Sequence, residues 1–134
     1  VNVVGRVKGS GDNAPLLLTG HLDVVPVEPE HWTHPPFDGV TADGCLYGRG
    51  AVDMKNHVAA SLAILKRLKQ DSVRLDRDVI FAAVADEEQG CRAGSLWLCE
   101  HHRELVQAEY ALGEGGGFSL HVGGRDGFGD DRLH

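Results

Sequence analysis

Short apolar runs separated by polar turn residues dominate the chain and predict strands. Five such segments are residues 1–8, 16–19, 79–85, 110–112 and 118–122. Glycine, proline, asparagine or aspartate residues bound most of them. The third is continuously apolar, which is typical of a strand buried on both faces of a sheet. Residues 41–47 predict a hairpin that turns at Asp43 and Gly44, because this pair tolerates positive φ angles.

Over residues 54–70 the apolar residues recur with the period of a helix. Val58, Leu62, Leu65 and Leu68 recur at steps of four, three and three, which places one apolar stripe along a helix. A second helix is predicted over residues 93–104. Strands and helices therefore alternate along the chain, and this order is typical of an α/β layered fold with a parallel sheet.

Composition narrows the class of protein. The chain has 134 residues, of which 42% are hydrophobic and 25% charged, as in one modest globular domain. The net charge of −7 argues against nucleic acid or an anionic membrane surface as a partner, and no apolar stretch reaches the roughly 20 residues of a membrane span. The odd set of cysteines (Cys45, Cys91 and Cys99) has no zinc-finger spacing, so free thiols and a reducing, cytoplasmic compartment are expected.

Polar clusters follow three of the predicted strands. His21 and Asp23 come after the second strand, the triplet 86–88 after the buried strand, and Glu114 after the strand at 110–112. A further acid, Asp53, precedes the long helix. Because ligands bind beyond the carboxyl ends of strands in open α/β sheets, these groups are expected to converge on one rim. Such an assembly needs protons or a cation to neutralise it.

The mixture of imidazole and carboxylate indicates zinc, or a related divalent ion such as cobalt or manganese. Asp23, two residues after His21, could hold the far ring nitrogen of that histidine and fix its tautomer. Adjacent residues in extended chain point in opposite directions. One carboxylate of the pair Glu87–Glu88 could therefore bind metal while the other acts as a general base on water.

Each of these signals has a simpler explanation. A run of acids is usually solvated surface, and Asp53 could be an ordinary helix N-cap. The glycines of GEGGGF, residues 113–118, could serve a tight turn, and the strand context of a dinucleotide-binding loop is missing. The order of the clusters and their placement at strand ends carry the argument for a metal site.

Five segments also match the motifs of a known family. They are GHLDVVP (20–26), PPFDG (35–39), YGRGAVDMK (47–55), ADEEQG (85–90) and GEGGGF (113–118). In this order they resemble the di-zinc amidohydrolases and peptidases that include aminoacylase, succinyl-diaminopimelate desuccinylase, acetylornithine deacetylase and glutamate carboxypeptidase. The resemblance implies a layered α/β/α sandwich around a mostly parallel, mixed sheet, and hydrolysis of an amide bond in a small peptide or N-acyl amino acid.

The resemblance also implies a role for each matching residue. His21 would bind one of two Zn²⁺ ions, Asp53 would bridge both, Glu88 would bind the second, and Glu114 would complete the protein ligands of the first. Glu87 would be the general base and Asp23 the partner that orients His21. The bond between Asp53 and Met54 would be a cis peptide.

The resemblance does not extend to every part of the family's pattern. The family's last metal ligand is a histidine far toward the C-terminus, beyond a lid or dimerisation domain, and neither His121 nor His134 matches it. Residues 1–125 are therefore expected to be the first part of a catalytic domain and residues 126–134 an unpatterned tail. The resemblance leaves a homodimer open for the parent protein. The alternative is a catalytically silent fragment that binds metal weakly or packs against a partner.

Overall fold

The computed structural model describes residues 1–114 of the chain. Six strands form: β1 (Val3–Val7), β2 (Asn13–His21), β3 (Val40–Ala42), β4 (Cys45–Tyr47), β5 (Arg77–Val84) and β6 (Tyr110–Leu112). Three α-helices accompany them: α1 (Lys55–Gln70), α2 (Ser95–His101) and α3 (Arg103–Val106), together with a 3₁₀ turn at Pro29–His31. The predicted strand at 118–122 and the predicted tail lie outside the described residues.

Four strands make one mixed sheet in the order β1-β5-β2-β6. Strand β2 runs parallel to both β5 and β6, and β1 is antiparallel to β5. The carboxyl ends of β2, β5 and β6 therefore meet at one edge of the sheet. A separate hairpin of β3 and β4 turns at Asp43 and Gly44, whose φ angles are 51° and 76°, as the sequence predicts.

Helices cover both faces of the sheet, which confirms the predicted α/β layered fold. Alternate side chains of β5 point to opposite faces. On one face Val79, Phe81 and Ala83 pack with residues that include Leu18 and Val58. On the other, Ala82 and Val84 pack with Leu98 of α2. Strand β5 is thus buried on both sides, which explains its continuous apolar sequence.

The helices differ from the sequence prediction in two details. Within α1 the buried positions are Val58, Ser61 and Leu65, whereas Leu62 is 51% exposed, so the buried face is rotated by about one residue from the predicted stripe. The predicted second helix is broken at His102, whose φ and ψ of −141° and 42° are not helical. Among the described residues, no helix combines the length and apolar character required to cross a membrane.

An ion cluster fastens β1 to β5 at the sheet edge opposite the acidic clusters. The Asp78 carboxylate accepts a hydrogen bond from the Gly9 N–H at 2.8 Å and pairs with Lys8 at 3.0 Å and Arg6 at 2.7 Å. The Gly9 hydrogen bond, with the contacts from the lysine and arginine, holds the pKa of Asp78 below its usual value. Because the folded pKa is depressed, the cluster stabilises the fold above the ordinary carboxyl pKa and loses this effect as pH falls through the lower, folded value.

We therefore expect Asp78→Asn to lower the free energy of unfolding at pH 7. As pH falls below about 4, the free energies of unfolding of the variant and of the unsubstituted chain should become more similar. Urea unfolding at a series of pH values measures both curves. Asp43→Asn is the matched control, since Asp43 is exposed in the hairpin turn and asparagine accepts the same positive φ. A constant difference at all pH values would contradict the assigned role of the ionised carboxylate.

Candidate metal centre

The residues of the site lie at or after the ends of three strands and just before one helix. His21 is the last residue of β2, Glu87 and Glu88 lie in the turn after β5, and Glu114 follows β6 by two residues. Asp53 lies two residues before α1. Helix α1 comes close to β2 because Gly20 has no side chain: a Cβ built there would lie 2.8 Å from Cγ2 of Val58.

The buried imidazole of His21 is the centre of this group. Its side chain is 1% exposed, and its Nε2 faces three carboxylate oxygens: Asp53 Oδ1 at 2.9 Å, Glu114 Oε1 at 3.4 Å and Glu87 Oε2 at 3.9 Å. These side chains come from four separate segments of the chain. The sheet edge therefore brings together groups that the sequence distributes over more than ninety residues.

The close approach of these charged groups shifts the pKa values of His21 and Glu114. Burial lowers the pKa of His21, but the hydrogen bonds to Asp23 and Asp53 and the charges of Glu114 and Glu87 together raise it above the ordinary value. The pKa of Glu114 is also raised, first by burial and then by Asp53 and Glu87, although the charge of His21 opposes the shift. The cluster thus favours an additional positive charge.

No lysine or arginine within residues 1–114 forms an ion pair with Asp53, Glu87, Glu88 or Glu114. The nearby Lys55 ammonium instead donates a hydrogen bond to the carbonyl oxygen of Leu22. Among the described residues, the basic side chain that contacts these acids is the His21 imidazole. Negative charge therefore exceeds positive charge around the buried Nε2 of His21, and this is the environment that a cation site requires.

Asp23 contacts His21 differently from the sequence prediction. The His21 Nδ1 hydrogen-bonds the backbone carbonyl oxygen of Asp23 at 2.9 Å, whereas the Asp23 carboxylate is 3.7 Å away, too far for a hydrogen bond. The carboxylate instead accepts the backbone N–H groups of Glu87 at 3.1 Å and Glu88 at 3.0 Å. These hydrogen bonds outweigh the effect of burial, so the pKa of Asp23 is lowered.

The expectation that Glu87 and Glu88 lie in extended chain is wrong. Residues 87–90 form a turn, and Asp86 before them has a φ of 67°. The Asp23 carboxylate stabilises this turn because it accepts hydrogen bonds from two successive N–H groups. Both glutamates therefore approach the same region instead of diverging.

Two groups of side chains have ligand atoms close enough to share an ion. One consists of His21, Asp53 and Glu114, and the other of His21, Glu87 and Glu88, with all ligand atoms in each group within 4.8 Å of one another. Nitrogen with carboxylate oxygen is the donor set of zinc and related divalent ions. The N-cap residue of α1 is Met54 and no side-chain hydrogen bond caps the helix there, so the alternative of Asp53 as a plain N-cap is not found. The Asp53–Met54 bond is cis, as the resemblance implies.

The structure adds one residue that the sequence did not single out. The Asn2 side chain accepts the N–H of Ala85 and donates to the carbonyl of Ala93, both at 2.9 Å, so it joins the two ends of the loop that carries Glu87 and Glu88. Asn2 lies 83 residues before Ala85, and no local sequence signal marks such a contact.

We expect Asp23→Asn to loosen the turn at residues 87–90, because an amide group cannot accept both N–H groups as a carboxylate does. Amide hydrogen exchange at Glu87 and Glu88 should become about tenfold faster, which corresponds to the loss of roughly one hydrogen bond to a charged acceptor. Asp38→Asn is the control, since Asp38 is exposed and its side chain makes no hydrogen bond or ion pair among the described residues. Unchanged exchange at these two amides would show that the carboxylate does not hold the turn.

Known proteins are similar to this chain in sequence. The model of peptidase family M20/M25/M40 matches residues 17–127. The N-formyl-4-amino-5-aminomethyl-2-methylpyrimidine deformylase of Bacillus subtilis is 43% identical over 102 residues, which cover 74% of this chain and 24% of that protein. Aminoacylase-1 of Sus scrofa is 42% identical over 102 residues, covering 75% of this chain and 25% of that protein.

A solved structure agrees with the sequence comparisons. The M20 family metallo-carboxypeptidase Sso-CP2 from Sulfolobus solfataricus superposes with a TM-score of 0.74 at 27% identity, covering 87% of this chain and 26% of that protein. The chain therefore spans about a quarter of the length of the relatives that it matches. The fold, the ordered motifs and these matches agree, and the chain belongs to peptidase family M20/M25/M40.

Proposed function

We propose that the chain carries part of the active site of a metal-dependent hydrolase that cleaves an amide bond by means of two divalent ions. The observation that supports this most directly is the approach of three carboxylates to the buried Nε2 of His21, without an ion pair from any lysine or arginine in residues 1–114. The three carboxylates are 42–66% exposed, and their like charges repel one another around the buried ring, so a bound cation would neutralise the group.

In this proposal His21, Asp53 and Glu114 would hold one ion, and Asp53 and Glu88 would help to hold the second. Zn²⁺ is the expected metal, and Co²⁺ or Mn²⁺ would suit the same donors. Asp23 maintains the site in two ways: its carbonyl fixes the His21 ring, and its carboxylate fixes the turn that bears Glu87 and Glu88.

Glu87 is the proposed general base. Its carboxylate lies 3.9 Å from His21 Nε2 and is 42% exposed, so it borders the proposed metal position and remains accessible to water and substrate. Bound divalent ions would polarise the scissile carbonyl and increase the acidity of a water molecule. Glu87 would accept the proton from that water and deliver it to the leaving amine.

The names of the relatives indicate the class of substrate. Two of them are a deformylase and an aminoacylase, and the superposed structure is a carboxypeptidase. Amides of this kind have an acyl group on one side of the scissile bond and an amine on the other. We infer that the parent protein acts on N-acyl amino acids or small peptides.

Titration calorimetry with zinc tests the metal site. The chain should bind Zn²⁺, and His21→Ala should remove that binding because it deletes the common nitrogen ligand of both groups. His31→Ala is the matched control: His31 also pairs with an acid, Glu28 at 2.8 Å, but both side chains are more than 70% exposed. Zinc binding that is no stronger in the unsubstituted chain than in His21→Ala would refute the proposal.

Hydrolysis assays distinguish an enzyme from the silent-fragment alternative. Metal-loaded chain is incubated with N-acetyl amino acids and dipeptides, and Glu87→Gln serves as the comparison. Turnover that Glu87→Gln abolishes, while zinc binding at His21 persists, would rule out the silent fragment. Metal binding by this chain without any turnover would instead support the silent fragment.

A further inference from the structure

The side chain of Asn2 holds both ends of the loop that follows β5. Its Oδ1 accepts the N–H of Ala85 and its Nδ2 donates to the carbonyl oxygen of Ala93, each at 2.9 Å. An asparagine side chain offers an acceptor and donors together, so it can bind two backbone groups of opposite kind at once. The chain between these two contacts carries Glu87 and Glu88.

Strand β1 brings Asn2 to this position. It runs antiparallel to β5, and the pair at this end of the ladder joins Val3 to Ala83. Asn2 therefore lies just beyond the last pair, where its side chain accepts the N–H of Ala85 as another strand residue would. The other end of β1 is fixed by the ion cluster of Asp78, so Asn2 belongs to a strand that is held along its whole length.

The loop needs such contacts because its backbone conformation is unfavourable. Asp86 has a φ of 67° and Cys91 a φ of 65°, both in the left-handed region that residues other than glycine rarely adopt. Conformations of this kind persist where the surrounding structure holds them. The Asp86 carboxylate accepts the N–H of Ala93 at 2.9 Å, so Asp86 and Asn2 together bind both polar backbone groups of Ala93.

Asn2 and Asp23 hold the loop at different places. The Asp23 carboxylate accepts the N–H groups of Glu87 and Glu88 themselves. The hydrogen bonds of Asn2 go instead to the chain on either side of the two glutamates. With both sets of contacts formed, Glu87 Oε2 lies 3.9 Å from Nε2 of His21.

We propose that Asn2 is a positioning residue of the metal centre, which fixes the loop so that Glu87 and Glu88 stay beside His21. The roles of the two glutamates, as general base and as ligand of the second ion, rest on the proposed function. Asn2 acts through the backbone of the loop and binds no ion itself. Because the first ion has no proposed ligand in this loop, loss of Asn2 should weaken the second ion and spare the first.

Amide hydrogen exchange of the full chain, with metal removed by a chelator, tests this role independently of metal binding and catalysis. In Asn2→Ala, exchange at Glu87 and Glu88 should become about tenfold faster, although neither amide is bonded to Asn2, whereas amides in the middle of β5 should keep their rates. Faster exchange at Ala85 alone would refute the proposal, since Asn2 would then serve only its direct partner. Equal acceleration throughout β5 would also refute it, since Asn2 would then stabilise the fold in general.

Asn13→Ala is the matched control, because Asn13 is exposed and its side chain makes no hydrogen bond within residues 1–114. It should leave exchange at both glutamates unchanged. If Asn2→Ala does not fold, Asn2→Asp decides the question. Its carboxylate keeps an acceptor for the N–H of Ala85 but places a second oxygen against the carbonyl of Ala93, so it should still accelerate exchange at the glutamates.

Titration calorimetry with zinc supplies the readout at the metal centre. In Asn2→Ala the second ion should bind at least about tenfold more weakly, as is typical when a residue that orients a ligand is lost, and the first ion should bind as in the unsubstituted chain. Equal weakening of both ions, or of neither, would refute the positioning role. An unsubstituted chain that binds no second ion would contradict the two-ion part of the proposed function, and the exchange rates would then decide the role of Asn2 alone.

Discussion

Asp53→Asn is expected to remove most of the stabilisation that zinc gives to the folded chain. At a zinc concentration one hundred times the Kd, binding to the folded state alone raises the free energy of unfolding by about 2.7 kcal/mol. Asp53 makes the shortest carboxylate approach to His21 Nε2, at 2.9 Å, and asparagine keeps its size but removes its charge. If affinity falls about a hundredfold, as expected for the loss of a charged direct ligand, the same zinc concentration gives only about 0.4 kcal/mol.

Urea unfolding with zinc and with a chelator measures this difference directly. Asp43→Asn is the control, since the same chemical change in the exposed hairpin turn should leave the zinc effect unaltered. The comparison is made between the two metal conditions within each variant, so a general loss of stability in Asp53→Asn does not affect it. An equal zinc effect in Asp53→Asn and the unsubstituted chain would show that Asp53 is not a ligand.

Gly94→Ala is the second substitution with a large expected effect. A Cβ built at Gly94 would lie 1.8 Å from the carbonyl oxygen of Ala85, a contact with backbone that no rotamer change can relieve. The segment before α2 would have to move away from the end of β5. We expect the free energy of unfolding to fall by about 3 kcal/mol, at the upper end of the usual cost of overpacking.

The same substitution should also disturb the metal centre, because Ala85 and Gly94 bracket the loop that carries Glu87 and Glu88. Gly5→Ala is the matched control: a Cβ at Gly5 meets only a Leu65 methyl group at 3.7 Å, an ordinary contact distance. Urea unfolding of both variants measures stability, and amide exchange at Glu87 and Glu88 measures the loop. Equal stability of the two variants would contradict the close backbone approach at Gly94.

The local sequence pattern was sufficient to predict an element where one physical effect determines its structure. Strand β5 is so apolar that only a central position could bury it, and Asp43–Gly44 could form only a turn with positive φ angles. Helix α1 was also predicted to within one residue at its start. The rotation of its buried face was missed, because Ser61 is weakly polar and can lie in the core where Leu62 was expected.

The structure places most of the predicted site residues close together, but two of their contacts differ from the prediction. The structure brings His21, Asp53, Glu87 and Glu114 together at the sheet edge where the strand-end argument placed them. The expected divergence of Glu87 and Glu88 was wrong, because it assumed extended chain where a turn forms. That turn depends on Asp23, which is 64 residues from Glu87, so local sequence could not reveal it.

The sequence by itself determined the family, the alternation of strands and helices, and the residue types that can bind a divalent ion, since these depend on local periodicity and on the order of motifs. Tertiary structure alone decided which atom of Asp23 contacts which neighbour and how Asn2 closes the loop after β5. The physical reason is that hydrogen bonds and charge interactions depend on distances of about 3 Å between groups far apart in the chain, and only the packing of α1 and the loops onto the sheet sets those distances.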